Sequence, residues 1–211
     1  MLIQYASRLG PSLYFYQMTV RSFIALSIPE EARNQLGDLA AKMSYQDKSG
    51  ALRWVDQENY HLTLGFLGDQ SIQDLENLAE SLDQSLIQTE FTSPITMISP
   101  FPETKPKLMA AMVSKNEQMK AVHRQVLSAV NTVGMMMDKR KFIPHITLAR
   151  YRHSRNEFTG GVPTNIQSDL YFDEVVLYES TLTSVGAEYE AIYRFPLDLM
   201  AYNDMAASTE G

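Results

Sequence analysis

Apolar positions change period along the chain, and each change predicts an element. Val20 to Ile28 reads as a strand. Ser27-Ile28-Pro29-Glu30 then reads as a helix start, with Ser as the cap, Glu three residues on and Pro in the first turn. That helix is expected to reach Met43 and to bury Leu36, Leu39, Ala40 and Met43. A loop, Asp47-Lys48-Ser49-Gly50, leads to a short strand, Leu52 to Val55, and Trp54 is assigned to the core. Ser71 opens a second helix whose stripe is Ile72, Leu75, Leu78, Ala79, Leu82 and Leu86. Strands follow at Phe91–Ile98 and Lys107–Val113, around a proline-rich loop. Ser114 is predicted to cap a third helix that buries Met119, Val122, Val126, Val130 and Val133. The last strands are expected at Tyr171–Glu179 and Tyr189–Leu197.

Two strands share one short phrase: His61-Leu62-Thr63-Leu64 and His145-Ile146-Thr147-Leu148. Alternation puts His and Thr on one face and the aliphatic pair on the other. Each strand then buries its aliphatic face and presents an imidazole beside a hydroxyl. Pro144 holds Ile143 extended and so helps to fix how His145 enters its strand. Facing each other across a cleft, the two strands would bring both imidazoles and both hydroxyls to one ligand. Strands that come in neighbouring pairs between helices predict antiparallel α+β sheets rather than a doubly wound parallel sheet. A two-lobed, pseudo-symmetric body follows, with the phrases lining its middle.

Composition narrows the chemistry. Cysteine is absent, which removes disulfides, thiolate nucleophiles and Cys-based zinc sites. No apolar run approaches the roughly 20 residues that a membrane helix needs. A net charge of −7 argues against broad coating of nucleic acid. The acidity is uneven, however. Lys139, Arg140, Lys141, Arg150, Arg152 and Arg155 bracket the second phrase with no acid among them, which suits a phosphate backbone as well as plain solvated surface. The segment 1–17 is expected to lie outside the core, as an extension before a natural start at Met18, with a short secretory leader as the lesser alternative, and 200–211 to be a polar tail. The span 18–199 would be one bilobal catalytic domain, in a cytoplasmic, monomeric protein.

Only four histidines occur, and two of them carry Thr and Leu at the same offsets. His123 is assigned to the third helix as a structural or surface residue. No H-E-x-x-H zinc motif, G-x-S-x-G nucleophile elbow or P-loop is present. What remains is acid/base catalysis by two imidazoles, with no cofactor and no metal. Near-neutral pKa values allow one ring to act as base and the other as acid. Threonine hydroxyls can donate to phosphate oxygens, and an arginine can balance charge gained in the transition state.

These motifs resemble those of the 2H phosphoesterase superfamily, and within it the bacterial and archaeal RNA 2′,3′-cyclic phosphodiesterases, also called 2′-5′ RNA ligases. The likeness is carried by Arg21–Leu26, Glu58–Gly68, Phe142–Arg150, Val175–Tyr178 and Arg194–Leu197. It implies an α+β, bilobal fold with two antiparallel sheets lining a central cleft and helices outside. It also implies hydrolysis of a terminal 2′,3′-cyclic phosphate to a 2′-phosphate, on an RNA end or a small cyclic nucleotide. By the same resemblance His61 would be the proton donor, His145 the proton acceptor, and Thr63, Thr147 and Arg150 the phosphate-binding groups. Phe23, Phe66, Phe142 and Arg152 are candidate base or substrate contacts, with core packing the competing role for the phenylalanines. Ala110 stands where many relatives carry tryptophan. Two other functions fit the same residues: reversible 2′-5′ ligation or cleavage of 2′-5′ linkages, and a module that only binds RNA ends or nucleotides.

Overall fold

The computed structural model describes residues 19–87, 89–138, 140–152, 157–163, 166, 168–183 and 186–197. The expected extension, the polar tail, Lys139 and Arg155 lie outside them. Nine strands and three α-helices follow in the order β1 (Thr19–Ser27), α1 (Glu30–Gln46), β2 (Leu52–Trp54), β3 (His61–Ser71), α2 (Ile72–Ser85), β4 (Phe91–Phe101), β5 (Leu108–Val113), α3 (Glu117–Thr132), β6 (His145–Tyr151), β7 (Asp169–Phe172), β8 (Glu174–Leu182) and β9 (Ala187–Pro196). One short 3₁₀ turn, Gln57–Asn59, precedes β3. No helix among the described residues is long and apolar enough to cross a membrane.

The strands form one antiparallel sheet in the order β7-β4-β5-β6-β3-β1-β8-β9, with β2 also paired to β6. The two expected sheets are two halves of this one. They meet where β3 and β6 share a single pair, Leu62 with Ile146. Both residues are fully buried. Helix α1 packs on β6 and β2, while α2 and α3 pack on each other and on β3. Their apolar stripes, including Leu36, Met43, Leu78, Leu82, Met119 and Val126, form one core with the aliphatic face of the sheet. The opposite face carries the histidines and threonines.

Both halves share a device. In β3, Thr63 pairs with Ala25 and Gly65 with Ile24, so Leu64 is an extra residue. In β6, Thr147 pairs with Ala110 and Ala149 with Met109, so Leu148 is extra at the matching place. A bulge shifts the alternation by one residue. The next outward side chains, Phe66 and Arg150, therefore return to the His/Thr face instead of pointing into the core. Both are exposed. At Gly65 the bulged strand runs against Met137, and a Cβ there would collide with the Met137 side chain.

Three local expectations need correction. Ser27 caps no helix: it ends β1, paired with His61, and α1 starts behind Pro29 without a side-chain cap. Pro29 sets the entry backbone, and Glu30 and Glu31 face the positive end of the helix. Ser114 is likewise held in the sheet, where its N–H donates to the Pro94 carbonyl. Asn116 caps α3 instead, its Oδ1 accepting from the Met119 N–H at 2.8 Å. Ser71 does cap α2, accepting from the Asp74 N–H at 3.1 Å. Finally, Tyr171–Glu179 is not one strand. It breaks at Asp173, where the chain leaves β4 and joins β1. The core positions change parity there, from Leu170 and Phe172 to Val175 and Leu177, across the acidic pair Asp173-Glu174.

The single β3–β6 pair makes Leu62 a sensitive position. Leu62→Ala should cost about 2–5 kcal/mol, from lost burial plus the cavity left behind. Urea denaturation with an unchanged midpoint would remove the junction from the core.

Candidate active site

The site follows from the register around Leu62–Ile146. In an antiparallel pair, residues directly opposite share a face. One step to either side of that pair sets His61 across from Thr147 and Thr63 across from His145. Each imidazole thus faces the other phrase's hydroxyl, and the two histidines lie on a diagonal. All four side chains are half-buried.

Each ring is held in the same way. The Nδ1–H of His61 donates to the Asn59 carbonyl at 2.8 Å. The Nδ1–H of His145 donates to the Ile143 carbonyl at 2.8 Å. A carbonyl only accepts, so both neutral rings carry their proton on Nδ1 and leave a lone pair on Nε2. The two carbonyls are positioned by different means. Asn59 closes the 3₁₀ turn that Asp56 caps, and its side chain donates to the Ala187 carbonyl at 3.2 Å. Ile143 precedes Pro144, whose carbonyl accepts from the Val113 N–H at 3.1 Å.

A phenylalanine supports each imidazole. Phe23 lies 4.8 Å from His61 between ring centroids, at 39°, and Phe101 lies 4.7 Å from His145, at 36°. Tyr189 meets the His61 ring edge-on at 5.0 Å. Burial is the main force on both histidines. It pushes His61 down to about 4, and the Arg150 and His145 charges add to this while the Asn59 hydrogen bond opposes it. His145 is lowered by burial first, with Arg150 and Arg140 adding and the Ile143 bond opposing. That Arg150 acts on both rings fits the bulge that returns it to their face.

The remaining sequence candidates separate. Phe23 is only 2% exposed, enclosed by His61, Phe66, Tyr178 and Tyr189. It is a floor beneath His61, with no free face for a base. Phe142 stacks on His123 at 4.1 Å and 8°, with the Lys115 ammonium 4.9 Å from its centroid. Its ring belongs to the packing of α3. Arg152 lies at the end of β6, where its Nε donates to the Leu52 carbonyl at 3.4 Å. Phe66 alone of the three phenylalanines keeps an open ring, 43% exposed, with the Arg140 guanidinium 5.9 Å from its centroid. Ala110, fully buried, pairs with Thr147 and keeps the floor beside that hydroxyl low.

Sequence reasoning missed Phe101, Tyr178 and Tyr189. They reach the histidines from β4, β8 and β9, and no local spacing connects them to either phrase. A cavity of about 500 Å³ lies beside the site, lined by Ser27, Arg33, Tyr60, Tyr178 and Arg194 among others and by neither histidine. Burial, helped by the Asp56 charge, pushes the Tyr60 hydroxyl up to about 12.

Residues 26–109 match the family model described as LigT like phosphoesterase. The match includes the first phrase and stops before the second. Proteins named RNA 2′,3′-cyclic phosphodiesterase are similar over most of the chain. The one from Geobacillus stearothermophilus is 27% identical over 83% of this chain, which spans 56% of that relative's length. The Thermotoga maritima protein is 26% identical over 82% of this chain and 94% of its own. For Methanocaldococcus jannaschii the figures are 27%, 82% and 98%. Among solved structures, E. coli LigT complexed with 3′-AMP superposes with a TM-score of 0.71 at 24% identity, covering 85% of this chain and 98% of that one. TT0787 of Thermus thermophilus gives 0.71 at 23%, covering 84% and 97%. The chain is thus similar to the LigT-like phosphoesterases in sequence over residues 26–109, and it shares the fold of the LigT structures.

Proposed function

We propose that this chain hydrolyses a terminal 2′,3′-cyclic phosphate to a 2′-phosphate, on RNA ends or small cyclic nucleotides. One observation carries the reading: two imidazoles, each with Nδ1 engaged by a carbonyl, come from strands joined antiparallel at Leu62–Ile146, a pairing whose continuation sets the rings on a diagonal with a threonine opposite each. Displacement at phosphorus brings the nucleophile in opposite the leaving group, and a diagonal pair supplies a base on one side and an acid on the other. Relatives named for this activity cover more than four fifths of the chain, which supports the same reading.

His145 Nε2 takes a proton from water as the water oxygen attacks phosphorus. The bond from phosphorus to the 3′ oxygen breaks, and His61 Nε2–H gives that oxygen its proton. Water supplies the oxygen gained by the 2′-phosphate, and the 3′ hydroxyl is released. Turnover ends with His145 protonated and His61 neutral, and exchange with solvent resets both. Thr63 and Thr147 donate to the non-bridging oxygens, and Arg150 offsets the charge that grows on them. The donor and acceptor roles rest on the family likeness, because the two halves are geometrically alike.

The low pKa of His61 gives the substrate a part in loading the acid. Without ligand both rings are neutral at pH 7, since both titrate below the ordinary histidine value. A phosphate anion in the cleft adds the opposite charge and raises a neighbouring imidazole. Binding therefore draws a proton onto the site. The sign follows: between pH 6.5 and about 4, phosphate affinity should rise as pH falls. NMR titration of the His61 ring is expected to show a midpoint near 4 in free protein and a higher one with a nucleoside 2′-phosphate. A free-protein midpoint at or above 6.5 would contradict the desolvated site.

Turnover of RNA ending in a 2′,3′-cyclic phosphate, assayed in EDTA, tests the reaction itself. His61→Ala and His145→Ala should each lower kcat by about 10²–10⁴-fold. Wild-type turnover in both variants would refute the assignment. Loss of turnover on chelation would refute the metal-free mechanism. Tight binding without turnover by the wild type would leave a module that only recognises ends. The same assay with a 5′-hydroxyl RNA in place of water reports 2′-5′ ligation.

A further inference from the structure

Arg53 lies directly opposite Arg150 in the β2–β6 pair. Neighbours on either side of them face the core: Leu52 is 3% exposed, Trp54 packs on the core cluster, and Ala149 is fully buried. Arg53 and Arg150 are both exposed, on the His/Thr face. Like charges directly opposite in a sheet repel. The chain has 25 acidic residues, and three other arginines use them. Arg33, Arg140 and Arg194 each hold a carboxylate at 2.6–2.7 Å. Arg53 and Arg150 hold none among the described residues.

Arg53 is also firmly placed. Asp47 accepts from the Ala51 and Leu52 N–H groups at 3.0 and 2.9 Å. The Val55 N–H donates to Leu148 and the Arg152 N–H to Ala51, both at 2.9 Å. A three-residue strand is thus tied to β6 on both sides of Arg53. The cleft face then has three rows, Thr63 with His145, His61 with Thr147, and Arg53 with Arg150. Arg53 stands next to His61, separated along β6 by roughly 7–10 Å.

We propose that Arg53 binds a second phosphate of the substrate, the phosphodiester on the 5′ side of the terminal ribose. This rests on the phosphodiesterase reading above. The leaving 3′ oxygen and that 5′ phosphate belong to the same ribose, and His61, which faces the leaving oxygen, is the catalytic group beside Arg53. Arg150 serves the reacting phosphate, and Arg53 serves its neighbour. The enzyme is accordingly selective for a chain end over a mononucleotide, and Arg53 is the residue that sets this preference.

The test compares wild type, Arg53→Gln and Arg53→Lys on adenosine 2′,3′-cyclic phosphate and on an adenylyl dinucleotide ending in the cyclic phosphate. Arg53→Gln should lower the dinucleotide-to-mononucleotide ratio of kcat/KM about tenfold, mainly through KM. Arg53→Lys should restore part of it. The log–log salt slope for dinucleotide binding should shrink by about 0.7, the share of one phosphate on a single strand. A ratio unchanged from wild type overturns the proposal, whether activity on both substrates is kept or lost together. If wild type turns over neither substrate, the phosphodiesterase reading fails, and calorimetry with the dinucleotide 2′-phosphate still decides Arg53. Equal affinity for wild type and Arg53→Gln there also overturns the proposal.

Discussion

The pairing of Leu62 with Ile146 is the contact on which the site depends. It joins two half-sheets that are otherwise built by separate ladders. Because the strands run antiparallel through this point, the two His-x-Thr phrases are related by a local two-fold. The diagonal placement of the imidazoles follows from that relation. Burying both aliphatic side chains completely also fixes the alternation, since a slip of one residue would turn every histidine and threonine into the core.

The bulges complete what the pairing begins. Strict alternation after Thr147 would send Arg150 into the core with Ile146 and Leu148. The extra residue at Leu148 turns it back toward the histidines, and the matching extra residue at Leu64 does the same for Phe66. The halves use this common geometry for different ends, a cation on one side and an open aromatic ring on the other. This is where the pseudo-symmetry of the backbone gives way to an asymmetric site. The histidines themselves remain alike in their carbonyl partners and their phenylalanine supports.

Desolvation is the electrostatic theme. The aromatic packing that orients His61 also removes its water, and that lowers its pKa more than any single charge does. An anion entering the cleft replaces lost hydration with direct charge compensation. Arginines without carboxylate partners on the same face, in a chain of net charge −7, act in the same direction.

Much of this was legible in the chain itself. Alternation identified both phrases and the face each residue takes, and the helix stripes matched the buried positions of α2 and α3 except at the ends, where Ile72 and Val133 are half-buried. Signals of this kind are local, set by side-chain direction along one strand or one turn. Choices between competing partners were not legible. Ser27 and Ser114 have capping chemistry, but the sheet claimed them, and which strands β7 and β8 join on either side of Asp173 is set by their distant partners β4 and β1. Phe23 and Phe142 had the composition of stacking residues, yet packing closed their faces. The sequence determined which groups could do chemistry and which face they share. Only the tertiary structure decided which strands lie side by side, and so which arginines and aromatics reach the histidines, because register and bulges are set by contacts between residues far apart in the chain.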